Sequence, residues 1–210
     1  MPDLYDSFAE LAVAEEGNYH IQCIDRGSAV AIIAVHGGLI EPATAEIAEV
    51  LAGDSLSLYT FHGTKAGRNK TLHLRSERFN EEQALSLVAG ASHVVSIHGC
   101  RDREGETGCI YLGGRSGRLK ECALAELNAA GFQALMARDS RDAGVRDNFR
   151  GANPRNICNR GQSGTGLQLE LALSLRKELM PWVDDGFKPQ PRMMEFKAAL
   201  YRALAASLAE

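Results

Sequence analysis

Two histidines, each following an apolar run, and two glutamates are the residues most able to do chemistry here. The segment His36-Gly37-Gly38-Leu39-Ile40-Glu41 offers an imidazole and a carboxylate, both good zinc ligands. The paired glycines permit a tight turn, so that Glu41 can face the same point as His36. Pro42 is read as opening a helix there, which would set Glu41 near its positive end. In Ser96-Ile97-His98-Gly99-Cys100 a second histidine again follows an apolar run and precedes glycine. Two histidines and a carboxylate form a ligand set common in catalytic zinc sites, one that leaves a place for water. Glu170, flanked by Leu169 and Leu171, is costly to bury without a partner or a task. Burial would raise its pKa towards that of a general base.

The surrounding pattern is that of one α/β domain over residues 1–210: a single three-layer unit with a mixed, mostly parallel sheet and helices on both faces. Ala29–Val35 is continuously apolar, as a strand buried on both sides must be. Strands are expected at Tyr19–Asp25, Leu56–Phe61, Thr71–Leu74, His93–Ile97, Cys109–Leu112, Phe132–Ala137 and Leu167–Leu171. Helices are expected over Asp3–Glu15, after Pro42 as far as Gly53, from a cap at Asn80 to Val88, over Ser116–Ala130 and over Arg192–Ala209. Ala143–Ser163, rich in Arg, Asn and Gly, reads as a long functional loop. His36 and His98 directly follow strands and Glu170 lies late in a third, where open α/β sheets place their sites.

A net charge of −4 gives no general attraction for nucleic acid or anionic membrane. No apolar run approaches the roughly 18 residues of a membrane span. The first residues show no secretory signal, and five cysteines without a Cys-x-x-Cys pair suit free thiols, so a cytoplasmic location is expected. Cys100 is notable for lying two residues beyond His98.

Several segments resemble the poly-γ-glutamate hydrolase family of bacteriophages and bacteria. They are His36-Gly37-Gly38-x-Ile40-Glu41, Leu72-His73-Leu74-x-Ser76, Ser96-Ile97-His98-Gly99, and Asn159-Arg160-Gly161 through Gly166-x-Gln168-Leu169-Glu170. They follow the family's order over most of the chain, and the final Gln-Leu-Glu also resembles N-formylglutamate amidohydrolases. The resemblance implies a carboxypeptidase-like fold with one catalytic zinc held by His36, Glu41 and His98, and Glu170 as the catalytic glutamate. It implies hydrolysis of γ-glutamyl amides; a phage-encoded enzyme would be released on host lysis. Two departures stand out. Four residues separate His36 from Glu41, where carboxypeptidases proper have two, and Arg75 stands where the family usually has Thr.

An acidic γ-glutamyl polymer requires cations near the metal. Arg115, on a loop after a strand, is the first candidate, followed by Arg160, Lys65 and His73, with Arg101, Arg103 and Arg118 as a diffuse rim. Three other functions use the same residues: an N-acyl amino-acid amidohydrolase, a serine hydrolase with His-Gly-Gly as its oxyanion loop, and a non-catalytic metal-binding module. The serine reading lacks a Gly-x-Ser-x-Gly turn; Gly161-Gln162-Ser163-Gly164-Thr165-Gly166 does not fit it.

Overall fold

A computed structural model describes residues 3–137 and 148–209. Seven strands form one sheet: β1 (Tyr19–Ile24), β2 (Val30–Gly38), β3 (Ser57–Gly63), β4 (His93–Cys100), β5 (Cys109–Gly113), β6 (Gln133–Met136) and β7 (Leu167–Ala172). Their order is β1-β3-β2-β4-β7-β5-β6. The centre is parallel (β3/β2, β2/β4, β4/β7), β5 and β6 are parallel to each other, and the antiparallel seams are β1/β3 and β7/β5. This is the mixed, mostly parallel sheet expected from the sequence, with its three layers.

Alternation along β2 builds both layers at once. Ile32 and Ala34 pack with α2 (Thr44–Ala52), α4 (Gly117–Ala129), α5 (Leu173–Leu179) and α6 (Pro191–Leu208), while Ala31, Ile33 and Val35 pack with α1 (Phe8–Ala14) and α3 (Glu82–Gly90). The same alternation sends Val95 and Ile97 of β4, and Leu167, Leu169 and Leu171 of β7, into the first core. Ser96, His98, Gln168 and Glu170 therefore project from the opposite face. A short hairpin, β8 (Trp182–Val183) with β9 (Gly186–Phe187), precedes α6. No helix among the described residues is long and apolar enough to cross a membrane.

Four local differences from the sequence reading have physical causes. Thr71–Leu74 is not a strand: Asn69 exchanges hydrogen bonds with the Lys65 backbone and Arg68 adopts a left-handed conformation, leading into a 3₁₀ turn at Asn69–Leu72. The first helix begins at Phe8 under a Ser7 cap, because Asp3 is engaged by His73 and Arg75. Glu81, not Asn80, caps α3, and the Asn80 side chain accepts from the Phe8 amide. α5 follows β7 without a break; its N-terminal Ser174 amide is capped by Asp102, 72 residues away, which no local pattern reveals. Within the expected Ala143–Ser163 loop, residues 143–147 lie outside the described residues.

Candidate metal centre

The central strands deliver three donor atoms to one point. β2 carries His36 to its end, where the register against β3 shifts between Ala34 and Gly37, the sort of irregularity that re-aims a side chain. The chain then turns back at Gly38 (φ +63°), where an added Cβ would lie 2.4 Å from the Gly63 carbonyl oxygen. The Glu41 amide closes the turn onto the His36 carbonyl at 2.9 Å. α2 starts only at Thr44, so the amide meeting the Glu41 carboxylate is that of Gly99, at 2.8 Å. The adjacent strand β4 supplies His98.

His36 Nδ1 and His98 Nδ1 stand 3.1 Å apart. Glu41 Oε1 is 3.3 Å from the first nitrogen and Oε2 is 3.7 Å from the second. Both imidazoles are buried, and the Glu41 side chain is 16% exposed. His36 Nε2 lies 2.8 Å from the Leu74 carbonyl oxygen, which can only accept, so the proton of the neutral ring sits on Nε2 and Nδ1 presents a lone pair inward. His98 Nε2 lies 2.9 Å from the Ser96 hydroxyl, which can accept from it and free its Nδ1 in the same way. Two nitrogens on a tetrahedral zinc with bonds of about 2.05 Å would sit about 3.3 Å apart. The residues present thus fit a divalent ion in donor type, spacing and outer-shell hydrogen bonding.

The electrostatics are those of a closely packed charge cluster. Burial opposes protonation of His36, but the Glu41 carboxylate and the Leu74 carbonyl outweigh it and raise its pKa. Burial, with the His36 charge beside it, lowers that of His98 to about 3. Burial would raise Glu41, yet the two histidines and the Gly99 amide hold it well below the usual carboxylate range.

Glu170 pairs with His98 in the β4/β7 register and with Tyr111 in the β5/β7 register. It is buried, and its pKa is raised, first by desolvation and second by the Glu41 charge. Its Oε1 accepts from Gln168 Nε2 at 2.9 Å, and Gln168 Oε1 in turn accepts from Asn156 at 2.8 Å. One cavity of about 380 Å³ is lined by His36, Glu41, His98, Glu170, Gln168 and Asn156 among others. A second, of about 630 Å³, shares Glu41, His73, Gly99, Cys100 and Arg101 with it, so the two are lobes of one cleft.

The remaining expected site residues fall in different places. His73 stacks on His36 with ring centroids 4.1 Å apart, bonds Asp3, and lines both lobes. Its pKa is lowered to about 4, first by the His36 charge and then by burial. Lys65 is engaged with both oxygens of the buried Glu15, at 2.8 Å each, and with Thr71. Arg115 is exposed and lines neither lobe: β5 runs antiparallel to β7, so the loop after it emerges beside Gly166, at the opposite end of the sheet. Arg160 is exposed and also outside the cleft. Ser163 bonds the Thr165 carbonyl. Ser96 does pair with a histidine, but it is fully buried and serves to orient the ring.

Arg176 gives no signal in the sequence. It is buried, and it donates to the carbonyls of Leu171 (3.1 Å), Cys100 (3.1 Å) and Pro42. It thereby ties together the ends of β7 and β4 and the turn after Glu41. Its guanidinium lies against Gly99, where an added Cβ would be 2.6 Å from Cζ.

Fold and site together define an α/β protein with a metal-competent cluster at the carboxyl ends of its parallel strands. The chain belongs to the poly-gamma-glutamate hydrolase family, whose model matches residues 5–198. UPF0714 protein YndL of Bacillus subtilis (strain 168) is 35% identical over 180 residues, 84% of this chain and 67% of that protein. The SPbeta prophage-derived UPF0714 protein YoqZ of the same organism is 36% identical over 180 residues, 84% of this chain and 61% of its own length. The chain thus spans roughly two thirds of these relatives. Two solved structures are similar: zinc-free, apo YndL (TM-score 0.86, 30% identity, 99% of this chain and 100% of that one) and a bacteriophage poly-gamma-glutamate hydrolase (TM-score 0.87, 26% identity, 97% of each chain).

Proposed function

We propose that this chain is a zinc-dependent hydrolase of γ-glutamyl amide bonds, acting on poly-γ-glutamate, with His36, Glu41 and His98 as metal ligands and Glu170 as general base. The observation that carries the reading is the meeting of His36 Nδ1 and His98 Nδ1 beside Glu41 while the outer ring nitrogens are tied to Leu74 and Ser96. Family membership and the hydrolase of similar fold support the reaction and its polymer substrate.

Bound zinc supplies Lewis acidity, polarising a carbonyl and lowering the pKa of nearby water to about 7. Glu170 takes the proton of the attacking water on Oε2, since Oε1 is held by Gln168. It then passes that proton to the leaving amine nitrogen. Gln168, fixed by Asn156, holds one oxygen of the carboxylate in the cavity that Glu170 lines with His36, Glu41 and His98.

The test is incubation of the zinc-loaded chain with poly-γ-glutamate, followed by size analysis of the products. A rapid fall in chain length, stopped by chelator and restored by zinc, is expected. An intact polymer together with hydrolysis of N-formylglutamate would move the assignment to an N-acyl amino-acid amidohydrolase. Zinc binding without hydrolysis of either would make the chain a metal-binding module. Block by a serine-directed reagent with indifference to chelator would replace the metal mechanism.

A further inference from the structure

A γ-linked glutamyl chain keeps a free α-carboxylate on every unit, so a cleft that threads it must meet negative charge beside the bond it cuts. The 630 Å³ lobe adjoins the metal cluster through Glu41 and Gly99. Its charged lining is Asp3, Glu41, Lys70, Arg101 and Arg176, with His73. Asp3 is taken up by His73 and Arg75, Glu41 is turned to the cluster, and Arg176 is held by three carbonyls. That leaves Lys70 and Arg101, both exposed, as the two cations of the lobe without an ion pair among the described residues. They arrive from separate segments, Lys70 from the 3₁₀ turn Asn69–Leu72 and Arg101 from the position following β4.

We propose that this lobe is the carboxylate subsite of the cleft, in which Lys70 and Arg101 bind the α-carboxylate of the glutamyl unit next to the scissile amide. The proposal rests on the hydrolase reading for its substrate, and it makes Lys70 and Arg101 specificity residues that do not touch the reacting atoms. Arg101 offers a planar fork matched to two carboxylate oxygens, whereas Lys70 supplies a point charge. Because both are exposed, their effect is screened by salt beyond about 10 Å at 0.1 M.

The experiment uses the zinc-loaded full chain and its Lys70→Gln, Arg101→Gln and doubly substituted forms. KM and kcat are measured on poly-γ-glutamate. Binding of a γ-glutamyl tripeptide carrying a neutral fluorophore is measured by anisotropy in the Glu170→Gln background, alongside the same peptide with its α-carboxylates amidated. Each substitution is expected to raise KM and Kd by about 3- to 10-fold, as befits loss of an exposed charge-assisted contact. kcat, zinc content and melting temperature should stay unchanged. Lys70→Arg and Arg101→Lys should retain binding, and the wild-type preference for the acid over the amide should vanish in the double variant. Equal binding by the double variant, or no preference for the acid in the parent chain, overturns the subsite. Acid-selective binding that the double variant loses, without hydrolysis by the wild type, upholds the subsite and removes the hydrolase reading.

Discussion

Gly99→Ala should damage the proposed metal centre without altering any of its three proposed ligands. The new Cβ would lie 2.6 Å from Arg176 Cζ, 2.8 Å from Nε and 2.9 Å from Nη1, all well inside van der Waals contact. Arg176 cannot swing clear, because its guanidinium is held by the carbonyls of Leu171, Cys100 and Pro42. Relief must come from the β4 backbone, which also carries the amide bonded to Glu41 at 2.8 Å and the neighbouring His98, one of the three proposed ligands. Overpacking of this kind costs about 1–3 kcal/mol. In a chain of this length that lowers the melting temperature by about 2–4 °C per kcal/mol. Loosening the contacts behind a metal ligand weakens metal binding by about 10- to 100-fold. Thermal melts with and without zinc, and competition against a chromophoric chelator, read both quantities. Replacing Arg176 by alanine removes the clash, so Gly99→Ala should cost less in that background, and the two substitutions should be non-additive by about 1 kcal/mol or more. Strict additivity, with wild-type zinc affinity in Gly99→Ala, would refute the claim that Arg176 and Gly99 fix the site as a unit.

Other substitutions separate the roles further. Glu170→Gln should lower kcat by at least about 10²-fold, the scale of general-base contributions, with zinc content unchanged; residual turnover near wild type would exclude Glu170 as the base. Gln168→Leu should leave Glu170 without its amide partner and cost about 1–3 kcal/mol of stability along with part of kcat, measured by urea melts and steady-state rates. Arg115→Ala and Arg160→Ala should leave KM for the polymer within about twofold, as expected of exposed side chains away from the cleft and in contrast to Lys70 and Arg101. Burial opposes ionisation of Glu15, but hydrogen bonds from Lys65, Tyr5 and Asn18 outweigh it and lower its pKa in the folded state. Its contribution is therefore complete above the unfolded value of about 4.3 and fades as the pH falls through the lower folded value. The stability gap between wild type and Glu15→Gln should narrow across that acid range; a constant gap would show that the Glu15–Lys65 pair is not what the substitution removes.

The central strand β2 was legible in the sequence because burial on both faces forces a long apolar run, Val30–Val35. His36, Glu41 and His98 were legible as a group because each sits at a strand end or just past a glycine turn. The cations near the cleft were legible only in part: Arg101 was read as one member of a diffuse rim, and Lys70 was not singled out at all. Reading Arg115 as a site residue assumed that the loop after β5 opens beside the metal, whereas an antiparallel seam sends it to the far end of the sheet, a matter of pairing that local pattern does not carry. Lys65 follows a strand that does point the right way, yet its ammonium is claimed by Glu15, 50 residues away. Arg176 looks like any basic residue in a helical turn until its three carbonyl partners, up to 134 residues distant, are in place. The 3₁₀ turn at Asn69–Leu72 was hidden for a similar reason. Its β-like composition is overridden by Asn69, and the segment crosses the site, where Leu74 orients His36.

The central claim is that three side chains hold one divalent ion. Anomalous diffraction at the zinc edge from crystals of the zinc-loaded chain tests it most directly. A single strong peak is expected, bonded at about 2.0–2.2 Å to His36 Nδ1, His98 Nδ1 and a Glu41 oxygen. A peak coordinated through His36 Nε2, located elsewhere, or absent at stoichiometric zinc would contradict it.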